Sequence, residues 1–378
     1  MRAPKIGSGL SGSRFRAAGL GVKPRRPAAP VIEPAAPMDA LQTTISLLNG
    51  LAVGLWLFML AAGLTLVFSI MGVLNFAHAA FYMLGAYVGY SIAGRLGFGW
   101  ALLLAPLVVG VLGALFEATL LRRAYRGGHV PELLLTFGAS YVLLELVQLG
   151  WGRAPLETVP PAWLAGPLLT LVQPAGEVLR LAWGAAPEAC AAAGTACMPF
   201  GALRAFVMLL ALAMLAAIAL LLRGTRVGLV VRAARTHPQM VQALGHDVPR
   251  VFTGVFAFGT ALAALAGVVG GTLRVTEPAM ALQVGALVFA VIVIGGVGSL
   301  AGAFVAALAI GVIDAFAVGS QATLLDLLRW SGIANALPAA GEVLAGIRMA
   351  QVAAVLPYLL LVLVLIVRPQ GLLGRRER

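Results

Sequence analysis

Apolar residues run along this chain in blocks too long for a soluble core. From Ala40 to Gly94 the only side chain that titrates near neutral pH is His78. A helix needs about 20 apolar residues to cross a bilayer. Blocks of that order stand at 46–70, 75–93, 100–121, 131–151, 201–222, 251–273, 285–318 and 352–367. The block 285–318 exceeds one ordinary helix and carries Gly295, Gly296, Gly298 and Gly302 in its middle. It reads as two short helices around a glycine hinge, either a re-entrant pair or two crossings. The predicted fold class is all-α, a polytopic membrane protein with about eight transmembrane segments and broken or re-entrant helices.

Composition agrees: 61% of residues are hydrophobic and 11% charged, where a soluble domain carries about 25% charged residues. The net charge of +12 does not point to nucleic acid, because the basic residues sit in short loops between apolar blocks. Arg122, Arg123 and Arg126 follow the third block, Arg223, Arg226, Arg232, Arg235 and Arg250 fill the loop before the sixth, and Arg368, Arg375, Arg376 and Arg378 follow the last. By the positive-inside rule these regions are cytoplasmic. The 152–200 loop, with Arg153 and Arg180 against Glu157, Glu177 and Glu188, is then external.

That orientation places the start of the first span outside, which conflicts with the basic residues between Arg2 and Arg26. Residues 1–40 form a basic extension rich in Pro, Ala and Gly, expected to be disordered. Met38 as the biological start would resolve the conflict; a re-entrant 75–93 segment is the other solution. No apolar stretch suited to a cleavable signal peptide precedes residue 40. Residues 41–374 form the membrane domain and 375–378 a basic cytoplasmic tail. Cys190 and Cys197, both in the outer loop, are the only cysteines; a disulfide and two free thiols are both open.

Several chemistries are missing. Lysine occurs only at Lys5 and Lys23, so the glycine-rich GGVGSLAG at 295–302 is not a P-loop, which needs a lysine to reach phosphates. His78, His129, His237 and His246 have no metal-ligand spacing. No catalytic constellation, metal or cofactor is expected. Any ATP chemistry belongs to another subunit.

Three constellations remain. In Asn75-Phe76-Ala77-His78, Asn75 reads as the N-cap of a helix from Phe76 to Ala93, ~27 Å long. Its positive end would face an anionic group, or Asn75 and His78 merely cap a helix end. Gly85 and Gly89 share one face, suited to close helix packing. The second constellation is 223–251, where Pro238 fits a first helical turn and Gly245 a C-terminal cap. Met240, Val241 and Leu244 make a narrow apolar stripe, for a partner's groove or for lipid headgroups. The third is the hinge Gly295-Gly296-Val297-Gly298-Ser299, which either turns backbone towards a cavity or packs helices closely. Glu117 and Glu132 are expected to pair with Arg122, Arg123 or Arg126. Glu145 and Asp314 are candidates for a pathway role.

Taken in order, these segments resemble the LivH-type permeases of bacterial ABC importers for branched-chain amino acids. The residues carrying the resemblance are GLTLVFSIMGVLNFAHAAFYMLGAYV at 63–88, LLLTFGASYVLLE at 133–145, RGTRVGLVVRAA at 223–234, ALGHDVPRV at 243–251, VIVIGGVGSLAGAFVAALAIG at 291–311 and RPQGLLG at 368–374. The family implies a multi-pass permease subunit of the bacterial inner membrane. Its implied partners are a second homologous permease, two cytoplasmic ATPases and an external binding protein, within membrane lipid. It implies a pathway near Asn75, Phe76, His78 and Tyr82 and near Gly295, Gly296, Gly298 and Ser299. The 223–250 segment is implied to couple to an ATPase, through Arg232, Arg235, Gln239, Gly245 and Asp247. Relatives often carry an acidic-Ala-Ala cluster where this chain has Gln239-Met240-Val241. The long 152–200 loop and the 319–350 segment read as external insertions. The implied solute is a branched-chain or related small amino acid, although relatives also carry amides and urea. The alternative is an ion-coupled secondary transporter, which would need Glu145 or Asp314 as its coupling carboxylate.

Overall fold

A computed structural model describes residues 39–174, 177–192, 194–330 and 346–374. The expected disorder before Met38, the tail 375–378 and the middle of the 319–350 insertion lie outside the described residues.

Helix α1 (Ala40–Met71) is apolar all round, as a helix buried on every side must be. At 32 residues it is ~48 Å long. It stops at Gly72, whose φ of 72° is left-handed and whose N–H donates to the Phe68 carbonyl. Then follow α2 (His78–Leu96), α3 (Phe98–Ala124) and α4 (His129–Trp151). Three short strands come next: β1 (Pro167–Gln173), β2 (Arg180–Trp183) and β3 (Ala196–Gly201). The chain continues with α5 (Ala202–Gly224), α6 (Arg226–Thr236), α7 (Pro238–Ala243) and α8 (Val248–Leu273). It closes with α9 (Met280–Gly295), α10 (Leu300–Gly319), the short α11 (Leu324–Trp330) and α12 (Met349–Val367).

Seven of these helices are long and apolar enough to cross a membrane, and α9 is a shorter apolar one. Helix α2 is 19 residues long but is diluted by His78, three tyrosines and Arg95. The block 285–318 is indeed two helices broken at Gly296–Ser299, running antiparallel as a hairpin. The protein is thus a multi-pass, all-α membrane protein with a small sheet added at one end.

Glycine lets the helices approach closely. Gly50 and Gly54 of α1 meet α10 backbone at Val312 and Leu308, and Gly63 meets α8 at Gly259. Gly85 and Gly89 of α2 face Ala264 and Val268 of α8; a Cβ on Gly89 would stand 2.7 Å from Val268. Helix α1 therefore runs through the middle of the bundle, with α10 and α8 against it and α2 and α3 against α8.

The sheet has antiparallel order β2-β1-β3 and joins the start of α1 through Leu41, Ile45, Leu171 and Phe200. A disulfide between Cys190 and Cys197 closes the turn before β3. The 152–200 loop is thus a folded cap rather than a plain connector. It marks one end of the bundle, the sheet end; α6 and α7 mark the other, the basic end.

Candidate functional site

The connector from Gly72 to Ala77 determines what the start of α2 presents. The Asn75 side-chain oxygen accepts from the Ala77 N–H at 3.0 Å, and its backbone carbonyl accepts from the His78 N–H at 3.2 Å. This is an Asx-type turn. Asn75 is therefore not the N-cap: Ala77 holds that position, and α2 runs His78–Leu96 instead of Phe76–Ala93. The turn sends neighbouring side chains to opposite sides. Phe76 points out, whereas Asn75 and His78 are buried.

His78 Nε2 donates to the Leu60 carbonyl at 3.1 Å, and its ring lies over Gly63. Leu60 lies some three turns before the end of α1, roughly 16 Å at 1.5 Å per residue. Helix α2 thus begins at membrane depth. Tyr82 is buried between Trp56, at 6.1 Å between ring centroids, and Gly270. His78 and Tyr82 join α2 to α1 and α8, and only Phe76 of this group reaches an open surface.

That surface is a groove between the start of α2, α4 and α9, enclosing about 210 Å³. Phe76 meets Phe289 of α9 at 4.7 Å between ring centroids and Phe137 of α4 at 6.4 Å. Tyr141 follows one turn along α4, its ring 5.1 Å from that of Phe137. Ala79 and Ala80, in the first turn of α2, complete the wall opposite Ser140. Phe137, Ser140, Tyr141 and Phe289 escaped the sequence reading, because nothing local shows that three helices bring their aromatic rings together.

The glycine hinge lies elsewhere. Gly296 and Gly298 take left-handed φ values of 97° and 82°. The Ser299 hydroxyl accepts from the Gly302 N–H at 3.1 Å and caps α10. The last carbonyls of α9 do not face the groove. Leu372 N–H donates to Ile294 at 2.8 Å and Leu373 N–H to Gly295 at 3.0 Å. The RPQGLLG segment therefore closes the hinge, about one and a half turns beyond Phe289.

At the basic end, Thr225 caps α6 by accepting from the Gly228 N–H at 3.1 Å, and Pro238 opens α7. Gly245 takes φ 85°, donates to Gln242 and ends the segment as a left-handed cap. Asp247 caps α8 and pairs with Arg250 at 2.9 Å. The expected stripe divides: Val241 is buried with Ala234 and Val248, whereas Met240 and Leu244 are exposed. Arg232, Gln239 and Asp247 are exposed, and Arg235 reaches Ser69 of α1 at 3.3 Å.

The π-helical turn Glu117–Leu121 in α3 carries the remaining polar cluster. Arg122 donates to the fully buried Glu117 at 3.2 Å, to the Thr253 hydroxyl at 2.6 Å and to the Pro249 carbonyl at 3.2 Å. Thr253 also donates to Glu117. Burial, and then the Glu117 and Glu132 carboxylates, push the Tyr125 phenol above its ordinary value. Glu132 lies 3.6 Å from His129, and among the described residues it makes no ion pair with Arg122 or Arg123. Of the two carboxylates read as pathway candidates, Glu145 is exposed on α4 and Asp314 is half-buried in α10.

A family model described as the permease component of a branched-chain amino acid transport system matches residues 46–365. The chain is 27% identical over 340 residues to the high-affinity branched-chain amino acid transport system permease protein LivH of Escherichia coli strain K12, covering 87% of this chain and 94% of that protein. It is 26% identical over 342 residues to BraD of Pseudomonas aeruginosa, described as a permease protein of the same kind of system, covering 88% and 95%. A probable branched-chain amino acid transport permease protein LivH of Methanocaldococcus jannaschii is 26% identical over 267 residues, covering 68% and 75%. No solved structure matches the chain. The match spans every helix that forms the groove, the hinge and the basic segment, and the chain belongs to the permease family of branched-chain amino acid transport systems.

Proposed function

We propose that this chain is the membrane subunit of an ATP-driven importer in a bacterial inner membrane, carrying a branched-chain or related small amino acid. The family match over 46–365 carries that reading. The Phe76–Phe137–Phe289 groove is one half of the solute path. Its walls are apolar, as an aliphatic side chain requires, and the first turn of α2 lies beside it. The positive end of that helix suits a carboxylate.

A second, homologous permease completes the path across the exposed face of α4. Glu145 stands on that face one turn from Tyr141. A charged side chain facing lipid within a span is costly and rare, so protein rather than lipid covers it. The sheet end faces outside and receives solute from a binding protein. The basic end faces the cytoplasm, where α6 and α7 dock on one of two ATPase subunits. Arg232, Arg235, Gln239, Gly245 and Asp247 form or shape that surface. Nucleotide binding in the ATPases shifts the bundle between outward- and inward-facing populations.

The test is uptake of labelled leucine into proteoliposomes holding this chain with its partner subunits. Uptake that needs ATP and stops with vanadate is expected. Uptake that survives vanadate but collapses with a protonophore would overturn the reading. In the same assay Phe289→Ala should lower leucine uptake about tenfold, the scale of a lost apolar pocket contact.

A further inference from the structure

A second groove lies at the basic end, in elements that the first does not use. It encloses about 620 Å³. Ile70 of α1, Leu222 of α5, and Val255 and Phe258 of α8 form its walls, and α6 lies across its basic end. Helix α5 buries only Val207, Ala211, Met214 and Ile218, and the groove lies between it and α8, two helices long and apolar enough to span the membrane. Arg226, His246 and Arg250 also line it, and no acidic side chain does. The Arg226 side chain makes no hydrogen bond or ion pair among the described residues. Arg250 engages Asp247 through Nε, leaving its two terminal nitrogens without a partner among the described residues.

Helix α6 supports the same placement. It buries Val231 and Ala234 while exposing Arg226, Arg232 and Arg235, the pattern of a helix lying at a membrane surface. An inorganic anion would satisfy the arginines but leave the aliphatic walls wet. A zwitterionic phospholipid would fill the walls but bring its own ammonium group beside the guanidinium groups. An amphiphile with an anionic head satisfies both.

We infer that this groove binds an anionic phospholipid, its phosphate between Arg226 and Arg250 and an acyl chain along Ile70, Leu222, Val255 and Phe258. The lipid ties α6, the first part of the basic segment, to the membrane ends of α5 and α8. Anionic lipid in the surrounding leaflet would then control how firmly that segment is held. This rests on membrane placement and not on which solute is carried.

The experiment is native mass spectrometry of the permease with its partner subunits, loaded in nanodiscs of equal phosphatidylglycerol and phosphatidylethanolamine. Wild type should retain phosphatidylglycerol about tenfold over phosphatidylethanolamine. The double variant Arg226→Gln/Arg250→Gln should bring that ratio close to parity. Gly254→Phe fills the groove from a position with no neighbour within 4 Å and leaves both arginines in place; it should also reduce retention. Inorganic phosphate at excess should not displace the lipid. Equal retention of the two lipids by wild type would overturn the inference, as would displacement by phosphate alone or unchanged retention in the variants. If the variants fold poorly, thermal melting of wild type decides. A higher melting temperature in phosphatidylglycerol than in phosphatidylethanolamine supports the site, and identical melting refutes it.

Discussion

Glu117 shows how one residue sets the geometry of the basic end. Its side chain is 1% exposed and receives Arg122 from its own helix and Thr253 from α8. Removing it takes the buried carboxylate acceptor from both donors and leaves them the Pro249 carbonyl. Glu117→Ala should therefore destabilise the protein by about 1–3 kcal/mol, while Glu117→Gln, which keeps a carbonyl oxygen there, should lose less. Thermal melting in detergent measures this, and equal melting of the two variants would contradict the assignment. The Glu117–Arg122 pair was legible from the sequence, because an isolated carboxylate between apolar residues has few cations in reach. The contact of Glu132 with His129 was not. The π turn adds residues to one turn of helix and redirects Arg122 towards Pro249 and Thr253, away from Glu132. Asn75 was misread for a similar reason. An asparagine before a helix can cap it or form an Asx turn, and only the position of Ala77 shows which.

At the scale of elements, membrane spans were legible because lipid imposes a length and an apolar composition that few other environments share. The break at Gly296–Ser299 was legible because its glycines interrupt a block too long for one helix. The sheet over 167–201 was not. Its strands are short, and β1 buries residues on both faces because it rests on the start of α1 rather than presenting one side to water. Gly245 was legible as a cap and leads to a sharp expectation. Its φ of 85° and its N–H bond to Gln242 are both impossible for proline. Gly245→Pro should leave the protein in the membrane yet abolish its stimulation of ATPase activity in the reconstituted complex. Wild-type stimulation would remove this segment from the coupling surface.

For the whole molecule, alternating helix directions place β1–β3 and α6–α7 at opposite ends, so one labelling experiment tests which end faces outside. In a chain with Cys190 and Cys197 replaced by serine, cysteine is introduced at Val178, 82% exposed at the sheet end, or at Leu244, 78% exposed at the basic end. A membrane-impermeant maleimide should label Val178→Cys in intact cells and Leu244→Cys only after permeabilisation. Labelling of both from outside would refute the topology. The groove between α2, α4 and α9 belongs to this scale too, since Phe76, Phe137 and Phe289 are far apart in the chain and meet only once the bundle is packed. The bonds from Leu372 and Leu373 to the end of α9 bear on how such a bundle is made. Those donors are synthesised after α10, α11 and α12, so the carbonyls of Ile294 and Gly295 emerge from the ribosome long before their partners. The α9–α10 hairpin must wait, loosely closed, until the segment after the last crossing arrives to lock it, which makes its final locking one of the last events of biogenesis.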